Sequence, residues 1–207
     1  MRPIRLGVLI SGRGSNLLAI LEAIERQDLP AEVALVVSNR AQAPGLEFAR
    51  ARAIPTFVVE RGARGDRAER HQAVRTALEA RGVDLVVCAG WDEILTPDFI
   101  AAHAGRILNT HPSLLPAFGG GLHAPADALT HGVKVSGCTI HFVTDDVDGG
   151  PIVLQRPVPV LDDDTPESLA NRILTQEHRA LPETIRLYAE GRLRTEGRRV
   201  YILPAER

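Results

Sequence analysis

Short β-branched and aliphatic runs alternate with helical periodicity through the first half of the chain. Ile4–Ile10 is a near-continuous apolar run, the pattern of a strand covered on both faces. Residues 16–27 then set Leu17, Ile20, Leu21 and Ile24 on one helical face. A second strand is predicted over 33–37. A helix over 44–52 opens with Pro44, where a missing N–H costs little. A third strand follows at 56–59. Gly82 stops the helix predicted over 66–81, and 84–89 reads as a fourth strand. Alternating β and α units imply a parallel sheet with helices on both sides.

The second half changes character. Proline and glycine crowd residues 112–121, then 135–143 and 151–160 read as strands. Pro157 and Pro159 have no N–H to give a ladder, which predicts an edge or irregular strand there. Thr165 and Pro166 open a long helix to about Glu190, Gly191 caps it, and 199–203 is a last short strand. No internal repeat or low-complexity segment interrupts the pattern. The predicted fold class is α/β: a Rossmann-like, mostly parallel sheet with helices on both faces. One domain over 1–207 is expected, with a phosphate-binding half at about 1–105 and a catalytic half at about 106–207.

Composition narrows the function classes. Of 207 residues, 44% are hydrophobic and 24% charged, as in a globular domain with a sizeable core. The net charge of −2 offers no basic field for nucleic acid. No apolar run is long enough to span a membrane or to serve as a signal peptide's core. Cys88 and Cys138 sit inside apolar runs without metal spacing, which predicts buried reduced thiols and a cytoplasmic setting.

Ser11-Gly12-Arg13-Gly14-Ser15-Asn16 joins the first strand to the first helix. Glycines admit an anion to backbone N–H groups, and a helix N-terminus favours negative charge. A tight turn with a Ser/Asn cap is the plainer alternative. The third glycine of a dinucleotide fingerprint would fall at Leu17, and the second strand ends in Ser38-Asn39-Arg40 without an acid for a ribose hydroxyl. NAD is disfavoured, and a single phosphate on Gly14, Ser15 and Asn16 fits better.

Asn109-Thr110-His111 puts an amide and an imidazole two residues apart, on one face if extended. Such a pair can stabilise an oxyanion and carry protons. Alone it reads as a polar pair in a turn. The acidic loop Asp145-Asp146-Val147-Asp148 after a strand strengthens it, because an Asp facing His111 is expected to raise its pKa and favour the imidazolium. The loop lacks an EF-hand ligand pattern, no His/Cys pair has zinc spacing, and no Gly-x-Ser-x-Gly elbow occurs, so no metal is expected and a serine hydrolase is disfavoured. His71, His103 and His131 read as surface residues, and His141 as structural.

Ser11–Asn16, Asn109-Thr-His-Pro-Ser-Leu-Leu-Pro116, the run from His141 to Pro151 and Thr175-Gln-Glu-His178 together carry a resemblance. From Ile4 to about Leu193 the sequence resembles the folate-dependent formyltransferase family, and within it the phosphoribosylglycinamide formyltransferases, or GAR transformylases. The resemblance implies the formyltransferase fold. It implies formyl transfer from 10-formyltetrahydrofolate to the amine of N1-(5-phospho-D-ribosyl)glycinamide, giving N2-formyl-glycinamide ribonucleotide and tetrahydrofolate in de novo purine (IMP) synthesis. It implies Asn109 as oxyanion donor, His111 as general acid and Asp148 as the group that raises the His pKa. Gly14, Ser15 and Asn16 match the phosphate loop, and Leu174, Thr175, Gln176 and Glu177 the segment at the substrate's ribose and amine. Arg67, Asp92, Glu93, Ile94, Leu95, Asn109 and Thr144, Asp145, Asp146, Val147 and Asp148 match the folate-binding positions. The peptide Leu115–Pro116 is expected to be cis. No tightly bound cofactor is implied, only the folate as cosubstrate, and small-molecule partners for a monomer or weak homodimer.

Two departures stand out. The family's Gly-Phe-Met-Arg-Ile-Leu is here Gly90-Trp91-Asp92-Glu93-Ile94-Leu95, and two new carboxylates are expected to repel the folate's acidic tail. Gly119-Gly120-Gly121 replaces a Pro-Gly and lengthens its loop. The alternatives are an amino-sugar N-formyltransferase, a formyltetrahydrofolate deformylase, or a non-enzymatic nucleotide-binding module. A deformylase is expected to add an N-terminal domain and a tRNA formyltransferase a C-terminal one, for which the sequence leaves no room.

Overall fold

The computed structural model describes residues 2–62 and 65–205. They fall into two compact units, Met1–Leu108 and Asn109–Arg207.

In the first unit β1 (Ile4–Ile10), β2 (Ala31–Ser38), β3 (Thr56–Val58) and β4 (Leu85–Cys88) are ordered β3-β2-β1-β4, all parallel. Leu6, Val8, Leu9 and Ile10 of β1 are wholly buried, as their unbroken apolar run predicts for a central strand. The helices are α1 (Ser15–Glu25), α2 (Leu46–Arg50), α3 (Arg67–Ala80) and α4 (Pro97–Ala102). A reciprocal capping box, Asp66 with Glu69, starts α3. Helix α2 is shorter than the predicted 44–52, and the sequence pattern predicts no helix at α4. Its six residues bury a single large side chain, Phe99, too little to mark a helical face.

Strand β5 (Ile107–His111) carries the chain from the first unit into the second. There β6 (Val135–Phe142), β7 (Ile152–Pro159), β8 (Leu193–Glu196) and β9 (Arg199–Ile202) follow, in the order β5-β6-β7-β9-β8. Of the edge or irregular strand expected at β7, the irregular one is found: β7 lies between β6 and β9, and its register with β6 shifts at Ile140/His141. It meets β9 only at Ile152, however, while Pro157 and Pro159 pair with β6 alone. The Val160 N–H donates to Lys134 O, so the two proline nitrogens fall on the alternate side, where no ladder needs them. Helices α5 (Ala124–Thr130) and α6 (Pro166–Ala189) complete this unit, and α6 packs on β6 and β7. Among the described residues no helix is long and apolar enough to cross a membrane.

Both cysteines are free and buried, and burial pushes each thiol up to about 12. The surface placement expected for His71 and His103 is corrected, since both are buried, whereas His131 is exposed. Thr96 N–H donates to His71 Nδ1, and His103 Nδ1 donates to Phe99 O while its ring stacks on Phe99.

Candidate active site

The glycine loop follows β1 and ends at Gly14, whose left-handed φ of 73° suits glycine. A Cβ there would meet Gly45 Cα at 2.5 Å, so Gly14 also permits the two backbones to touch. No side chain caps α1, and its first hydrogen bond runs from Leu18 N to Gly14 O. The simple Ser/Asn-cap alternative therefore does not hold.

Asp92 and Glu93 follow β4 in the same unit. Asn39 Nδ2 donates to Asp92 Oδ1 at 2.9 Å, Arg61 Nη2 reaches it at 2.8 Å, and Arg40 pairs with Oδ2. Burial works against the Asp92 carboxylate, yet Asn39, Ser11, Arg61 and Arg40 together hold its pKa below the ordinary value. Glu93 accepts from Arg70 at 2.6 Å and lies 3.5 Å from Arg61. The carboxylates expected to repel an acidic ligand tail are thus each engaged by arginine. Ile94 is exposed, Leu95 is buried, and Arg67 is exposed on the first turn of α3.

In the second unit the three candidate catalytic residues come together. Asn109 and His111 lie on β5, and Asp148 lies in the loop between β6 and β7. His111 Nε2 is 3.3 Å from Asp148 Oδ2. Of the loop's aspartates only Asp148 turns inward, at a left-handed φ of 52°, while Asp145, Asp146 and Val147 are exposed. Gly120 N–H donates to Asp148 Oδ2 at 2.8 Å, so the lengthened glycine segment holds this carboxylate. Thr144 Oγ1 donates to Asp146 O within the loop. Leu115–Pro116 is cis, as expected.

His141 belongs to the same cluster, which its strand position alone did not reveal. Its Nδ1 lies 3.0 Å from Phe142 O, an atom that can only accept, so Nδ1 carries the proton. Its Nε2 then offers a lone pair to Asn109 Nδ2 at 3.1 Å, and Asp148 Oδ1 lies 3.7 Å away. The Asn109 amide is oriented by this bond and retains a second N–H. Burial, partly offset by Phe142 O and Asp148, keeps the His141 pKa below 6.5 and the ring neutral.

The expected imidazolium at His111 is corrected. Burial lowers its pKa below 6.5, and the Asp148 charge and the Gly121 backbone act in the opposite direction without prevailing. At neutral pH the resting ring is neutral, a proton acceptor before it is a donor. Leu174, Thr175, Gln176 and Glu177 lie within α6, with Glu177 buried and Thr175 exposed. Among the described residues no group of His, Cys, Asp or Glu is placed to hold a metal ion.

The family model for formyl transferases matches residues 4–185. The chain belongs to the formyl transferase family. This formyl transferase is 42% identical over 198 residues to the phosphoribosylglycinamide formyltransferase of Haemophilus influenzae, covering 96% of this chain and 93% of that protein. It is 44% identical over 188 residues to the trifunctional purine biosynthetic protein adenosine-3 of Gallus gallus, spanning 91% of this chain and 19% of that longer protein. The crystal structure of glycinamide ribonucleotide transformylase 1 from Symbiobacterium toebii matches with a TM-score of 0.95 and 53% identity, covering 98% of this chain and 95% of that one. Its architecture is accordingly the mostly parallel α/β sheet of these transferases.

Proposed function

We propose that this formyl transferase moves the formyl group of 10-formyltetrahydrofolate to the amine of N1-(5-phospho-D-ribosyl)glycinamide in de novo purine synthesis. The convergence of Asn109, His111 and Asp148 carries the reading, because a nucleotide-binding module has no need of a proton relay. Near-full-length similarity to glycinamide formyltransferases favours this substrate over an amino sugar or water.

The chemistry assigned to the cluster is direct acyl transfer. The neutral amine attacks the formyl carbon, a C–N bond forms, and charge gathers on the formyl oxygen. The free Asn109 N–H stabilises that oxyanion. His111 Nε2 takes the proton released by the new ammonium, and Asp148 stabilises the imidazolium so formed. The same proton passes to folate N10 as its bond to the formyl carbon breaks, leaving tetrahydrofolate. The balance requires no covalent enzyme intermediate, and the folate leaves as a spent cosubstrate.

The amides of Gly14, Ser15 and Asn16 suit the substrate phosphate, since they open a helix without a side-chain cap. Leu174, Thr175, Gln176 and Glu177 are assigned to the ribose and amine side. Arg67, Asp92, Glu93, Ile94, Leu95 and the segment from Thr144 to Asp148 are assigned to the folate. The enzyme is read as a cytoplasmic monomer or weak homodimer acting on small molecules. A spectroscopic assay with 10-formyl-5,8-dideazafolate and phosphoribosyl-glycinamide tests the proposal. Deformylated folate is expected to appear only with the amine present, and equal release without it would identify a deformylase.

A further inference from the structure

Ser113 is wholly buried two residues beyond His111, in the turn that leaves β5. Its Oγ lies 2.6 Å from Ala117 O and 3.0 Å from His111 Nδ1. A carbonyl oxygen has no hydrogen to give, so the single hydroxyl hydrogen of Ser113 must lie toward Ala117. Only lone pairs then face His111, and Nδ1 must carry a proton to make the bond. The turn is itself held. Thr139 Oγ1 donates to Ser113 O at 2.7 Å, Leu115 N–H donates to Thr139 Oγ1, and Gln155 Nε2 donates to Leu115 O. The hydroxyl therefore cannot turn away without breaking a bond inside a fixed frame.

We infer that Ser113 is a positioning residue that locks His111 in its Nδ1–H tautomer and leaves Nε2 as the ring's only proton port. The opposite charge nearby makes this lock necessary. Asp148 Oδ2, at 3.3 Å, would draw a neutral ring's proton to Nε2 in a charge-assisted hydrogen bond. That tautomer would close Nε2 to an incoming proton. Ser113 opposes it and keeps Nε2, a buried atom without a hydrogen-bond partner, open as an acceptor. The other titratable group in the cluster, His141, holds its own proton on Nδ1 toward Phe142 and does not compete for this one.

The inference rests on the proton-transfer role proposed for His111, and the test separates the two. Long-range proton–nitrogen spectra of 15N-labelled protein, with His111 assigned by its loss in His111→Gln, report which ring nitrogen is protonated above the pKa. Wild type is expected to show Nδ1–H at His111, and an Nε2–H ring would overturn the inference whatever the activity. Ser113→Ala is expected to move the proton to Nε2, lower kcat by ~10²-fold, and leave the KM for phosphoribosyl-glycinamide near wild type. Its kinetic pKa is expected to fall, because the cation loses an acceptor while the neutral ring gains a second tautomer. Ser113→Thr, which keeps the hydroxyl, is expected to restore the Nδ1–H signal and most of kcat. An unchanged tautomer in Ser113→Ala would refute the lock. A switched tautomer with full kcat would uphold the lock and refute the role of His111.

Discussion

Asp92 and Asp148 both follow a strand, and their surroundings differ in kind. Asp92, with Glu93 beside it, is held by Arg40, Arg61, Arg70 and an amide. Guanidinium stays charged across the accessible pH range, so those carboxylates face partners that cannot change charge. Asp148 faces two imidazoles and a backbone N–H, with no arginine or lysine at ion-pair distance among the described residues. Its side-chain partners are imidazoles, which can change charge and exchange protons with a substrate. The lesson is that a carboxylate's chemistry follows from whether its partners can change charge.

This contrast orders the expected effects. His111→Ala should be the most damaging, lowering kcat by at least ~10²-fold with loss of the proton acceptor. A kcat within a few-fold of wild type in the dideazafolate assay would remove the second unit's claim to the chemistry. Asp148→Asn keeps the shape and removes the charge. It should lower kcat by roughly tenfold or more and shift the kinetic pKa of His111 further down, since Asp148 is what opposes burial there. A pH profile that moves up instead would invert the assigned role.

Gly14→Ala probes the first unit. With a φ of 73° and a Cβ 2.5 Å from Gly45 Cα, it should strain the loop by ~1–3 kcal/mol. That should raise the KM for phosphoribosyl-glycinamide by about tenfold with less effect on kcat. Substrate affinity by calorimetry checks it, and unchanged affinity would sever the loop from the phosphate. Arg70→Gln should leave Glu93 short of its best partner, where both side chains are about a tenth exposed. Stability to urea should fall by ~1–3 kcal/mol, while the kinetic pKa stays in place. Movement of that pKa would show that the arginine network also tunes the proton chemistry.

The smallest expected effect is global. His71, His103, His111 and His141 all have folded pKa values below 6.5, with burial as the main cause. The unfolded chain binds more protons once the pH falls below 6.5, so stability is present above that pH and declines on acidification toward the folded values. A melting temperature that rose between pH 7 and pH 5 would contradict this.

The four parallel strands of the first unit were legible because burial on both faces leaves an unbroken aliphatic run, as in β1. The trio was legible in its residue types and its two-residue spacing on β5. Short α4 and α5 were not, and one error led to another. His103 is buried because it stacks on Phe99 four residues earlier, a relation visible only if α4 is recognised. His71 could have been found, since Val74 and Leu78 share its helical face and are buried with it. The β8–β9 hairpin was half seen, because its mostly exposed residues leave no apolar alternation to read. His141 needed the third dimension, because its role depends on Asn109 arriving from another strand. The charge of His111 was misjudged for a different reason. Sequence discloses a neighbouring carboxylate more readily than the depth at which the pair is buried.

The account depends above all on a neutral, buried His111 whose proton affinity is raised by Asp148. A titration of the His111 ring by nuclear magnetic resonance, in wild type and in Asp148→Asn, measures this directly. The expected midpoint lies below 6.5 in wild type and lower still in the variant. A wild-type midpoint above 6.5, or one that Asp148→Asn leaves unmoved, would contradict it.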